Sequence, residues 1–243
     1  MDDLPLHDAF ASTSPGSVPL ATPEVHVWAV PLNGDPDPFA ELLSSSERER
    51  LGRYRFADHQ RRFQIGHGAL RQILAGYLDV AATEIEFRTG PRGKPYLVGD
   101  ELQFNMSHSG KMALIAVANT ELGVDVEKVR HLESLTAIAQ RHFSGSEFAK
   151  LDRLEGDARE LGFYRCWTRK EAYIKALGEG LSMALDSFDV SLCEEPEFLA
   201  CNDGRERPAD WLMLDVSPSP GFVGAIAMRS KQATLKKLRF ADC

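Results

Sequence analysis

The hydrophobic pattern of the chain is sharpest over Phe163–Ser182. At helical spacing Phe163, Cys166, Trp167, Tyr173, Ile174 and Leu177 fall on one apolar stripe, with Lys170 in its middle and Glu171 at its edge, one turn before Lys175. An amphipathic core helix with a Glu171/Lys175 surface pair accounts for Lys175 but leaves Lys170 unexplained. An ammonium centred on a buried face is costly unless an anion meets it. Alternation predicts strands over Glu24–Pro31 and Leu122–Val129. In the second, Val124 and Val126 face one way while Asp125 and Glu127 face the other. Met112–Ala118 is apolar without alternation, the pattern of a strand buried on both faces.

Between these runs the punctuation is legible. Ser46-Glu47-Arg48-Glu49 has capping-box spacing and opens a short basic helix with Arg48, Arg50 and Arg53. Asp58 is placed to cap a longer helix to about Leu78, with Phe63, Leu70, Ile73, Leu74 and Tyr77 inward and Arg61 and Arg62 outward. Those arginines form a basic patch, which is either a solvated face or an anion site. Thr89–Pro95 is a turn-forming loop whose glycines admit close backbone approach, with Lys94 able to reach an anion. A strand over Leu102–Asn105 runs into a polar turn at Ser107-His108-Ser109-Gly110. A helix follows over Leu132–His142, and Ser146 caps another to about Leu154. Glu155–Glu160 reads as a polar link, and Gly178-Glu179-Gly180 ends the central helix. Three strands are expected over Phe188–Leu192, Trp211–Val216 and Phe222–Arg229. Residues 1–23 read as a mobile tail, and Lys231–Cys243 as a basic tail that frays.

A short internal repeat aligns Gly110–Ala116 with Gly221–Ala227, matching at Gly, Ile and Ala. Each copy follows a long helix and two further strand candidates. Two similar halves packed together would place a ligand cleft at their interface.

Composition narrows the function class. With 243 residues, 43% hydrophobic and 26% charged, the chain has the make-up of a globular protein with a real core. No apolar run is long enough to span a bilayer, and the acidic N-terminus does not read as a secretory signal. Cys166, Cys193, Cys201 and Cys243 lack zinc or disulfide-framework spacing, which fits reduced thiols in a cytoplasm. A net charge of −8 argues against general nucleic-acid binding.

The candidate chemistry is a set of carboxylates, lysines and arginines. Asp125 and Glu127 repel one another on a shared strand face unless a cation lies between them; a solvent-facing edge is the alternative. Hard oxygen ligands beside lysines suit Mg²⁺ with substrate phosphates. No G-x-S-x-G elbow or Cys–His pairing supplies an internal nucleophile.

Four motifs in order give the chain a resemblance to a known family: Gly93-Lys-Pro95, Phe104-Asn-Met-Ser-His-Ser-Gly110, Gly123-Val-Asp-Val-Glu127 and Trp167-Thr-Arg-Lys-Glu-Ala-Tyr-Ile-Lys175. They resemble the 4′-phosphopantetheinyl transferases of the long, surfactin-synthetase-activating (Sfp) type, over roughly Ser46 to Arg229. Glu179 departs from the basic residue common at that position.

The resemblance implies an α/β (α+β) fold of two similar halves with pseudo-twofold symmetry. After a tail over 1–23, residues 24–119 form a coenzyme A-binding half, and 120–243 form the half with the metal and catalytic carboxylates. It implies Mg²⁺-dependent transfer of phosphopantetheine from coenzyme A to a serine of an apo acyl- or peptidyl-carrier protein, leaving 3′,5′-ADP. Asp125, Glu127 and Glu171 would surround the metal, with Glu171 also accepting the serine proton. Lys170 and Lys175 would meet the diphosphate. Ser107, His108 and the Gly93-Lys94-Pro95 turn would hold coenzyme A, with Arg50 and Arg62 near its 3′-phosphate. One chain carrying both halves implies a monomer, and the composition leads us to expect a cytoplasmic protein that binds neither nucleic acid nor membrane. A non-catalytic coenzyme A or carrier-protein binding module, and a metal-dependent coenzyme A phosphohydrolase, are the alternatives.

Overall fold

The computed structural model describes residues 10–14, 19–99, 102–178, 180, 183–202 and 204–241. Near the N-terminus, β1 (Ala11–Thr13) precedes β2 (Glu24–Pro31). A 3-10 turn at Asp37–Leu42 leads to α1 (Ser45–Gly52), α2 (Ala57–Leu78), the hairpin β3 (Phe87–Thr89) and β4 (Pro95–Leu97), then β5 (Gln103–Ser109) and β6 (Met112–Ala118). The same plan follows again. β7 (Leu122–Lys128) leads to α3 (Leu135–His142), α4 (Gly145–Leu151) and α5 (Gly156–Leu177). The hairpin β8 (Phe188–Val190) and β9 (Phe198–Cys201), then β10 (Leu212–Asp215) and β11 (Phe222–Met228), complete it, and β12 (Thr234–Phe240) closes the chain.

Each half is a three-stranded antiparallel unit crossed by a 22-residue helix: β2-β6-β5 with α2, and β7-β11-β10 with α5. The two sheets pack face to face through Val25, Val27, Met112, Leu114, Val124, Val126 and Ile226. The outer face of the first sheet meets α2 through Trp28, Ile115, Leu70 and Leu74. That of the second meets α5 through Val223, Ala225, Phe163 and Tyr173. The layers therefore run helix, sheet, sheet, helix. Every residue of β6 is buried, as its unbroken apolar run requires of a strand covered on both sides.

The sequence signals were displaced by one or two positions at several helix starts. Ser44, not Ser46, accepts from the Glu47 amide while the Glu47 carboxylate accepts from the Ser44 amide, so the capping box begins earlier. Ser144, not Ser146, does the same with Glu147. Asp58 caps nothing; it sits inside the first turn of α2 and pairs with Arg61. The expected polar link Glu155–Glu160 is instead the start of α5, where Leu161 packs on the core and Gly162 lies against Leu151 and Leu154. α5 ends at Leu177, with Gly178 in the left-handed region (φ 67°). Glu179 lies outside the described residues.

Both expected tails carry strands. β12 enters the first sheet parallel to β2, and β1 adds in parallel on its far edge. The sheet order is therefore β1-β12-β2-β6-β5, and the last strand of the chain completes the sheet that the first half begins.

Candidate active site

β5 and β7 lie side by side where the two sheets meet, joined by side chains in step. Asn105 Oδ1 accepts from the Val124 amide at 2.9 Å, Ser107 Oγ donates to Asp125 Oδ1 at 2.7 Å, and Ser109 Oγ donates to Glu127 Oε2 at 2.7 Å. The expected turn at Ser107–Gly110 is thus mostly strand. The period of two sends Asn105, Ser107 and Ser109 toward β7, and leaves His108 on the cleft side.

As alternation requires, Val124 and Val126 enter the core between the sheets while Asp125 and Glu127 face α5. Gly123 allows that closeness: a Cβ there would lie 2.2 Å from Ala172 O and 2.3 Å from Ala176 N. Lys175 Nζ reaches Asp125 Oδ1 at 2.5 Å and Ser107 Oγ at 3.0 Å. Asp125 is 3% exposed, and its second oxygen, Oδ2, is buried without a protein partner. Burial, opposed by the Ser109 hydrogen bond and reinforced by Asp125, pushes the Glu127 carboxyl above its usual range. Burial and then Asp125 do the same to Glu171, with Lys175 opposing.

Those two shifts and the orphaned Oδ2 fit a divalent cation, which would satisfy the oxygen and relieve the repulsion. Among the described residues no three His, Cys, Asp or Glu side chains are gathered closely enough to hold a metal alone. The expected ring of three carboxylates is therefore not preformed. The donor set matches magnesium, which takes one or two carboxylates and completes its shell with water and substrate phosphate.

A cleft of about 1230 Å³ opens in front of this site, lined by α1, α2, the β3–β4 hairpin, β5 and the end of β7. Arg50, Arg62, Gly93, Pro95 and His108 line it, as do His67, Arg88, Lys128 and Arg130, which the sequence did not single out. Arg50 lies over the Phe63 ring, 5.3 Å from its centroid. Burial first, then the positive field of Lys175, His67, Arg62 and Arg50, holds the His108 imidazole below its ordinary value. Five basic side chains thus converge around this part of the cleft.

Two expected ligand contacts are not in the cleft. Lys170 is fully buried, with Nζ 2.8 Å from Glu147 Oε2, donating to Leu185 O at 2.7 Å and to Phe188 O, and 4.3 Å from the Phe188 ring centroid. The anion that the apolar stripe demanded is Glu147, and Lys170 has no surface left for a diphosphate. Lys94 donates to Leu122 O at 3.0 Å and Ala176 O at 2.8 Å, and burial pushes its ammonium down to about 8. It ties the Gly93–Pro95 turn to the start of β7 and the end of α5. Ser107 faces Asp125 and Lys175 and positions them. Arg169, also missed from sequence, is buried and donates to Ser191 O, Cys193 O and Glu194 O, fixing the loop after β8.

Family comparison agrees with this arrangement. Residues 28–120 match the model described as 4′-phosphopantetheinyl transferase, N-terminal, and residues 121–227 match the 4′-phosphopantetheinyl transferase superfamily. The chain is similar to the 4′-phosphopantetheinyl transferase HetI of Nostoc sp., with 38% identity over 88% of this chain and 91% of the relative. It is similar to a 4′-phosphopantetheinyl transferase of Bacillus subtilis at 30% identity over 83% and 94%. The 4′-phosphopantetheinyl transferase Sfp of the same species is 32% identical over 65% and 70%. Carboxylates in front of a basic cleft, at the junction of two halves that each match this family, make the chain a member of the 4′-phosphopantetheinyl transferases, enzymes that load carrier proteins from coenzyme A.

Proposed function

We propose that the transfer runs across the β5–β7 junction. Coenzyme A lies in the cleft with its diphosphate toward Asp125, Glu127 and Lys175, and its 3′-phosphate toward Arg50 and Arg62. The observation that carries this reading is Asp125, one oxygen held by Ser107 and Lys175 and the other buried without a partner. Asp125 would hold Mg²⁺, with Glu127 and Glu171 beside it; when bound, the ion supplies charge to the diphosphate. Lys175 adds a second positive charge, so negative charge building on the leaving 3′,5′-ADP is stabilised electrostatically. Glu171, whose proton affinity burial and Asp125 raise, takes the proton of the carrier serine as its oxygen bonds to phosphorus and the diphosphate P–O bond breaks. The Gly93–Pro95 turn holds the nucleotide through its backbone.

Among the described residues no helix is long and apolar enough to cross a membrane, and Cys166 and Cys193 are free thiols. Together with both halves lying on one chain, this suits a cytoplasmic monomer. The test is incubation with coenzyme A, Mg²⁺ and an apo acyl- or peptidyl-carrier protein, read by intact-protein mass. The phosphopantetheine adduct should form, and should vanish with chelator or with Asp125→Ala at unchanged fold. Full turnover of Asp125→Ala in chelator would remove the metal reading. Free phosphopantetheine without carrier protein would favour hydrolysis.

A further inference from the structure

The two halves place the same buried ion pair at the same point and finish it differently. With Ala57 of α2 set on Gly156 of α5, Arg71 falls on Lys170 and His67 on Cys166. Glu47 and Glu147 are the equivalent capping-box carboxylates. Arg71 Nε donates to Glu47 Oε2 at 2.8 Å, as Lys170 reaches Glu147. Each basic side chain also ties down the loop after its own helix, Arg71 through Ala82 O and Ile85 O, Lys170 through Leu185 O and Phe188 O.

The difference lies in the second carboxylate oxygen. In the second half Glu147 Oε1 accepts from the Val190 amide at 2.8 Å, and Cys166 is a fully buried core residue. In the first half Glu47 Oε1 is 3.0 Å from His67 Nδ1 instead, and His67 lines the cleft, stacked on Phe63 with ring centroids 4.0 Å apart. Burial opposes ionisation of Glu47, but hydrogen bonds from His67 and from the Ser44 amide and hydroxyl, with Arg71 alongside, hold its carboxyl down to about 2. An ionised acceptor fixes Nδ1 as the protonated nitrogen, and the Phe63 stack fixes the ring plane. Nε2 is left to the cleft, on the wall that also carries Arg50 and Arg62. No carboxylate of the metal-type set stands on that wall.

We infer that His67 is a specificity-determining residue that reads the 3′-phosphate of coenzyme A through Nε2, with Glu47 as the positioning residue behind it. A phosphate oxygen there meets the Nε2 edge of the ring, with one proton shared between them, while the Glu47 carboxylate holds Nδ1 on the far side. The inference rests on the proposed placement of the 3′-phosphate beside Arg50 and Arg62.

The test compares affinity for coenzyme A and dephospho-coenzyme A in wild type, Arg62→Ala, His67→Asn and His67→Gln. The asparagine amide reaches the position of Nδ1 and keeps the Glu47 contact, but has nothing at Nε2. The glutamine amide reaches the position of Nε2. His67→Asn should lose about tenfold of the preference for coenzyme A and leave dephospho-coenzyme A binding unchanged, while His67→Gln should retain most of it. Equal discrimination by His67→Asn and wild type, with Arg62→Ala impaired, would overturn the inference and spare the placement. Wild type binding both ligands alike would overturn the placement itself. Loss of thermal stability in His67→Asn with equal weakening of both ligands would make His67 a structural residue.

Discussion

Glu47 and Glu171 are both partly buried carboxylates near the cleft, and their surroundings push them in opposite directions. Glu47 is surrounded by donors, from Ser44, His67 and Arg71, and stays ionised. Glu171 faces Asp125 and Glu127 across the gap between α5 and β7, and its proton affinity rises. The first carboxylate is where the fold invests charge to hold itself together. The second is where like charges are gathered at the expense of stability, as sites built for a cation and a proton transfer require. The same division separates two neighbouring residues of α5: Lys170 is consumed by Glu147, while Glu171 is left for chemistry.

Glu171→Gln gives the strongest test of that division. Turnover should fall by about 10²–10⁴-fold, the usual size of a general-base contribution. The metal-free protein should melt about 2–4 °C higher, the shift that about 1 kcal/mol produces in a chain of this size. The pH dependence has a definite sign. A raised carboxyl binds more protons folded than unfolded, so stability falls as pH rises from the ordinary carboxylate value through the raised one. Glu171→Gln should flatten that slope in chelator. Glu47 behaves oppositely, its stabilisation being complete above the ordinary value of 4.5 and lost as pH falls toward about 2. Glu47→Gln should therefore lower the melting temperature at neutral pH and change little at the acid end. Melting curves that moved the same way for both variants would break the comparison.

Lys170→Met strands Glu147, which is fully buried, and should destabilise the fold by about 3–5 kcal/mol, the range for one partner lost from a buried pair. Arg71→Met should lose less, because Glu47 is 11% exposed and keeps His67. The double variant Glu147→Gln/Lys170→Met should recover part of the loss. Urea melts measure all three. A Lys170→Met protein of normal stability that had lost coenzyme A affinity would restore the diphosphate role.

The smallest expected effect is at Lys94. Lys94→Met keeps the aliphatic stem packed against Gly178 but removes the ties to Leu122 O and Ala176 O. It should lower kcat about tenfold, through slack between the nucleotide turn and the helix carrying Glu171 and Lys175, with Lys94→Arg restoring part of it. If Lys94 gripped a phosphate, the loss would fall on KM for coenzyme A instead.

Local pattern by itself determined the long elements and the direction of their side chains, but not the short strands β1, β3, β4 and β9 or the terminal β12. The unbroken run of β6, the alternation that turns Asp125 and Glu127 away from Val124 and Val126, and the stripe on α5 are properties of a period, which any stretch of sequence carries whole. The order of four motifs was equally local. What each side chain meets was decided by the tertiary structure. Lys170 finds Glu147 on another helix, Lys94 finds carbonyls on two elements of the other half, and Ser107 turns out to hold Asp125 because β5 continues as strand. β12 joins a sheet begun two hundred residues earlier, which its basic sequence, without clean alternation, could not announce. A period fixes which way a charge points. Its partner depends on where distant chain returns, and a buried charge is stable only where that return brings an opposite charge or a carbonyl.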